Sequence, residues 1–134
     1  MDQFIISPSS GIPIYKQLYS QIERMVLNGY FAVGDNLPSV RQVATNLEVN
    51  PMTVSKAYGL LEERGFLTRL RGKGMVVAQR DEAVSHQEKI EMLNKMITEL
   101  LIQSKQLGVN HQEIIALVSK CATENIQNDK KSKE

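Results

Sequence analysis

Tryptophan is absent from the chain, and cysteine occurs once, at Cys121. A single cysteine excludes an internal disulfide framework and suits a reducing compartment. Aromatic residues make up 5% of the 134 positions. Apolar burial must therefore come mainly from isoleucine, leucine, valine and methionine, and an aromatic platform for stacking RNA bases is not expected. No apolar run approaches the roughly 20 residues that a membrane-spanning helix requires. The first residues also lack the basic-then-apolar pattern of a secretory leader. A soluble, cytoplasmic protein with no membrane partner is expected.

Catalytic patterns are missing too. There is no CxxC, HExxH or phosphate-loop signature, and the "GKG" at 72–74 lacks the strand-to-helix setting of a nucleotide site. The two histidines, His86 and His111, stand apart at helix starts and read as surface or capping residues. Cys121 lies on an apolar stripe and reads as a packing thiol. The expectation is no enzyme, no metal and no cofactor.

One further absence is local. From Arg64 to Arg80 there are five bases and no acid. The net charge of +1 hides this, because residues 1–80 carry nine bases against six acids and the remainder seven against nine. A cationic surface on a near-neutral chain points to a polyanion meeting one face.

What is present is an ordered series of helix and strand signals. Pro13 suits the first turn of a helix carrying Tyr15, Leu18, Ile22, Met25 and Val26, which Gly29 ends. "QFIIS" before it is a short strand or an extended arm. Ser39 and Gln42 have capping-box spacing at the start of a second helix lined by Val40, Val43, Ala44 and Leu47. Glu48 and Val49 lead to Asn50, a new N-cap, with Pro51 at the first helical position. This third helix runs to about Arg64 and stops at Gly65. Two β-prone runs follow, "FLTRL" and "MVVAQ", joined by a glycine-containing tight turn.

This order predicts a mainly α fold with a small β wing, a winged helix-turn-helix followed by a C-terminal helical pair. The DNA-binding domain is placed at 1–80, with the helix-turn-helix at about 39–64 and the wing at about 66–79. The helical pair spans 85–127, and the polar tail at 128–134 is expected to be disordered. The pair begins with a helix over 85–108 carrying Ile90, Leu93, Ile97 and Leu100 at three-four spacing. Asn110 then caps the last helix. Two such helices cannot enclose a core alone, so they must pack on the first domain or on a second copy, and the width of the stripe favours a homodimer interface.

The third helix keeps one face clear of acid. Met52, Ser55, Lys56 and Gly59 lie opposite the stripe of Val54, Ala57 and Leu61, with Thr53 at its flank. Such a face fits the major groove, where Thr53 and Ser55 can exchange hydrogen bonds, Met52 can touch a thymine methyl and Lys56 can reach phosphate or guanine. Arg41 and Ser39 open the second helix beside the phosphate backbone. Arg71, Gly72 and Lys73 form the tip of the wing, with Arg69 less favoured.

"LPSVR" (37–41), "NPMTVSKAY" (50–58), "LEERG" (61–65) and "RGKG" (71–74) together resemble the DNA-binding domain of the GntR family of bacterial regulators over residues 10–80. The Asn-Pro start of the third helix and the short two-helix tail resemble its YtrA-type subfamily. The resemblance implies a homodimeric repressor or activator on a pseudopalindromic operator in double-stranded DNA. It also implies DNA contact by Arg41, and Ser39, Asn50 and the wing are expected to contact DNA beside it. The chain departs from many members in having Pro51, Met52 and Ser55 where arginines open the recognition helix, and Glu48 where glycine is common. A small-molecule effector is left open. The rival reading is a winged-helix protein-interaction module without sequence-specific DNA binding. Such a module should show an apolar patch on the third helix, where this one has Ser, Lys and Gly.

Overall fold

The computed structural model describes the backbone of residues 4–132 and the side chains through residue 126. Its elements are α1 (Ile14–Leu27), α2 (Val40–Leu47), α3 (Pro51–Glu63), β1 (Leu67–Leu70), β2 (Gly74–Val77), α4 (Glu82–Gln106) and α5 (His111–Ser132), preceded by a 3-10 turn at Pro8–Ser10. The fold is a winged helix-turn-helix followed by two helices. Two compact units divide at Ser85 and His86.

In the first unit α3 packs against α1, α2 and β1. The centre is aliphatic, as the scarcity of aromatics requires. Leu18, Ile22, Val54 and Leu61 are fully buried, and Phe66 closes the side toward the wing. Full burial of each such side chain contributes about 1.5 to 3 kcal/mol.

The helix boundaries follow local chemistry. The Ser39 hydroxyl accepts from the Gln42 N–H at 3.1 Å while the Gln42 side chain accepts from the Ser39 N–H at 3.0 Å, the reciprocal cap of α2. The Asn50 side chain accepts from the Met52 N–H at 2.8 Å, and Pro51 occupies the first helical position of α3. Between them Glu48 takes a left-handed conformation, φ 56° and ψ 47°. Gly65, at φ 84°, follows the end of α3. Pro13 stands one residue earlier than expected, as the N-cap of α1.

The wing is an antiparallel pair with Leu67 opposite Val77 and Leu70 opposite Gly74. Residues 34–37 run along its other edge. The Gly34 N–H donates to the Val77 carbonyl, the Val77 N–H to Asp35 and the Leu37 N–H to Met75, each at 2.9 Å. This edge is not foreseeable from the sequence, because "GDNL" carries none of the β-branched or aromatic residues that mark a strand.

The arm before α1 is extended but forms no strand. Its partners are two side-chain amides one helical turn apart. The Ile5 N–H donates to Gln21 Oε1 at 2.9 Å and the Gln21 amide donates back to the Ile5 carbonyl. Gln17 grips Ser7 in the same two-way manner. Phe4 is buried beside Phe31.

The second unit opens within α4, which begins at Glu82, earlier than expected, because the Asp81 carboxylate accepts the Ala83 N–H at 2.8 Å. Asn110 caps α5 through the Glu113 N–H at 2.9 Å. Among the described residues of this unit only Ser104 and Ile114 are buried. Cys121, expected to pack, is exposed. Leu117 and Val118 of the same stripe are exposed with it. The tail expected from 128 is the end of α5 as far as Ser132, and residues 133–134 lie outside the described residues.

Candidate nucleic-acid interface

Three pieces of backbone bring the cationic and polar groups together. The first is the amino end of α2, where Arg41 is exposed in the first turn. The Ser39 N–H is committed to Gln42 as part of the cap. The Val40 and Arg41 N–H groups belong to the set a helix leaves unpaired at its start.

The second piece is α3. Met52 is 77% exposed at its amino end, and Ser55, Lys56 and Gly59 are exposed along the same helix, with Thr53 half-buried. Asn50 is exposed, but its side-chain oxygen is engaged as the cap. The Lys56 ammonium sits 4.0 Å from the centre of the Tyr15 ring of α1. A cation held over an aromatic face gains about 0.5 to 1 kcal/mol at an exposed site, so Lys56 starts from a defined position.

The third piece is the wing tip. The Lys73 N–H donates to the Leu70 carbonyl at 3.0 Å, closing a turn in which Gly72 has φ 82°. A side chain at Gly72 would be strained in that region. The tip is anchored from outside the hairpin, since the Asn36 amide donates to the Lys73 carbonyl at 2.5 Å and Asn36 bridges to Val76. Arg71, Gly72 and Lys73 are all exposed.

Between these pieces lies an open cleft of about 460 Å³. Ser39, Ser55 and Lys73, all anticipated from the sequence, line it, and it adds Gly59 and Arg69. Arg41, Asn50, Met52, Thr53, Lys56, Arg71 and Gly72 are not part of its lining. Arg69 becomes prominent through the strand register, which sets it opposite Met75 on the wing.

Tyr58 holds the cleft together. It is buried, and its hydroxyl donates to the Pro38 carbonyl at 2.6 Å, joining α3 to the residue before the α2 cap. Loss of solvent raises its pKa well above the ordinary tyrosine value, so the hydroxyl stays neutral and donating. Nothing in the sequence marks this contact, which joins residues twenty positions apart.

A helix-turn-helix with an anchored basic wing and an acid-free cleft defines a DNA-binding transcriptional regulator. The model of bacterial regulatory proteins of the gntR family matches residues 14–77. The chain is 38% identical over 103 residues to the HTH-type transcriptional repressor YtrA of Bacillus subtilis, covering 77% of this chain and 79% of that protein. Among solved structures, a GntR family transcriptional regulator from Listeria monocytogenes is 35% identical with a TM-score of 0.70, over 84% of this chain and 97% of its own. YtrA from Sulfolobus acidocaldarius, a GntR-family transcription factor, is 34% identical with a TM-score of 0.55, over 75% and 98%. The chain belongs to the GntR family and to its YtrA-like branch, and it is a regulator rather than an enzyme. Among the described residues no helix is long and apolar enough to cross a membrane.

Proposed function

We propose that the protein is a cytoplasmic, homodimeric repressor that binds a pseudopalindromic operator in double-stranded DNA. In this reading α3 enters the major groove. Thr53, Ser55 and Met52 face base edges, Arg41 and the first turn of α2 meet phosphate, and Arg71 and Lys73 place the wing beside the neighbouring groove. Asn50 serves by fixing where α3 begins, and Gly72 by letting the wing backbone come close. Lys56 reaches phosphate from its seat on Tyr15. The observation that carries the reading is the cleft, which gathers the second helix, the recognition helix and the wing around cations with no carboxylate in its lining.

Dimerisation rests on the second unit. Ile90, Leu93, Ile97 and Leu100 are between 40% and 52% exposed in the single chain. A contiguous apolar surface of this kind marks an interaction site, and a second copy would cover it symmetrically. Repression would then be steric, with the bound dimer occluding the promoter.

Selection of bound fragments from random duplex DNA tests this reading. The expected result is a two-fold-related sequence whose half-sites are separated by about one helical turn or a multiple of it. A pool that shows no enrichment after repeated rounds would contradict it.

A further inference from the structure

Gly59 lies in the interior of α3 with an ordinary helical backbone, not a left-handed one. Glycine is the least favourable residue for a helix interior after proline. Nothing inside the protein requires it. A Cβ at Gly59 would meet no atom within 4 Å, so the missing side chain serves neither close helix packing nor a turn.

The open position faces the cleft that Arg69 and Lys73 also line. Each amide lining the cleft has one end engaged, the Asn36 NH2 as donor to the Lys73 carbonyl and the Gln42 oxygen as acceptor from the Ser39 N–H. The Tyr58 hydroxyl is committed to Pro38. The charged groups the cleft offers a ligand are two cations, Arg69 and Lys73, with no carboxylate among its lining, which suits an anionic, sequence-independent partner. Because Asn36 anchors the wing tip, the opening does not depend on the hairpin turn alone.

We propose that the cleft receives a stretch of DNA sugar–phosphate backbone, drawn in by Arg69 and Lys73, and that Gly59 is kept bare so the strand can approach the main chain of α3. This rests on the DNA-binding reading above and adds a close-approach position to it. The bare helix face compensates for the arginines that this chain lacks in the first turns of α3. Affinity comes from backbone proximity on the wing side of the helix.

The test uses the full chain with Gly59→Ala and Gly59→Leu. Each is melted and then titrated against the selected operator and an unrelated duplex of equal length at several salt concentrations. Both variants should melt above the wild type, since each restores a good helix former at an open position. Gly59→Leu should bind both duplexes about tenfold or more weakly, by a similar factor on each. Its log affinity against log salt should flatten by about one unit for each phosphate that the leucine pushes out of reach. Unchanged affinity of Gly59→Leu, with the wild type binding normally, overturns the proposal. So does a loss confined to the operator, which would put a base edge rather than the backbone at Gly59. A melting temperature below wild type for Gly59→Ala would show that the position is not open and would also overturn it. A wild type that binds neither duplex would instead overturn the DNA-binding reading itself.

Discussion

Glu48 is the one described non-glycine residue with a positive φ, and it sits in the turn that sets α3 relative to α2. A left-handed conformation costs an ordinary L-residue about 1 kcal/mol relative to glycine. Glu48→Gly relieves that strain but makes the unfolded chain more flexible, so the gain should be about 0.5 kcal/mol. Denaturant melts that show Glu48→Gly less stable than wild type would contradict the strain assigned to this turn. Tyr58 makes the opposite kind of contribution. Tyr58→Phe should lose about 1 to 2 kcal/mol, because the Pro38 carbonyl is left without its donor. Burial raises the Tyr58 pKa above the ordinary 10.0. Its stabilisation is therefore whole below pH 10 and is lost as pH rises further, where the unfolded tyrosine ionises and the folded one resists. The difference in stability between wild type and Tyr58→Phe should shrink in alkaline melts. A constant difference across that range would argue against a buried, neutral donor.

At the scale of elements, the helix starts are legible wherever a short polar side chain meets a well-spaced partner. Ser39 with Gln42, Asn50 with Pro51 and Asn110 each cap the helix they announce. Such caps are local, so the sequence around them holds all the information they need. The start of α4 lies earlier than its pattern suggests because the Asp81 carboxylate caps it ahead of the apolar stripe that marks the helix in the sequence. The third edge of the wing is illegible for a different reason. Residues 34–37 are held by the backbone of β2, and long-range pairing leaves no periodic trace in a four-residue segment. The same holds for the cleft. Its cationic residues can be read off the chain, but Arg69 gains its place from strand register and Tyr58 from a contact twenty positions away. The grip of Gln17 and Gln21 on the arm is likewise invisible, since glutamine side chains seldom substitute for a strand.

For the whole molecule, the division of labour follows from where apolar surface is covered. The first unit buries an aliphatic centre of its own, while the second leaves its leucine and isoleucine stripe exposed. Under the proposed homodimer, the second unit's exposed stripe is the surface that a partner covers. Leu93→Glu with Leu100→Glu should therefore give a monomer by light scattering, with the first unit still folded. That monomer should bind a single half-site weakly, because one winged helix makes too few contacts for tight operator binding. A dimer that survives both substitutions would move the interface away from this stripe. The exposed Cys121 thiol lies on the same pair and should become less reactive toward a thiol reagent on dimerisation if its stripe is covered.

In the proposed complex the face formed by α2, α3 and the wing holds DNA through its phosphates. The most direct measurement is operator affinity against salt for the wild type and for Arg41→Ala with Lys73→Ala. With about 6 to 10 phosphate contacts in the dimer, wild-type affinity should fall by about 1,000- to 100,000-fold between about 50 and 200 mM salt. The double variant should remain a folded dimer, bind far more weakly and show a shallower slope, by about 0.9 for each phosphate no longer neutralised. A wild-type affinity that is flat with salt, or a double variant indistinguishable from wild type at about 150 mM, would contradict this arrangement.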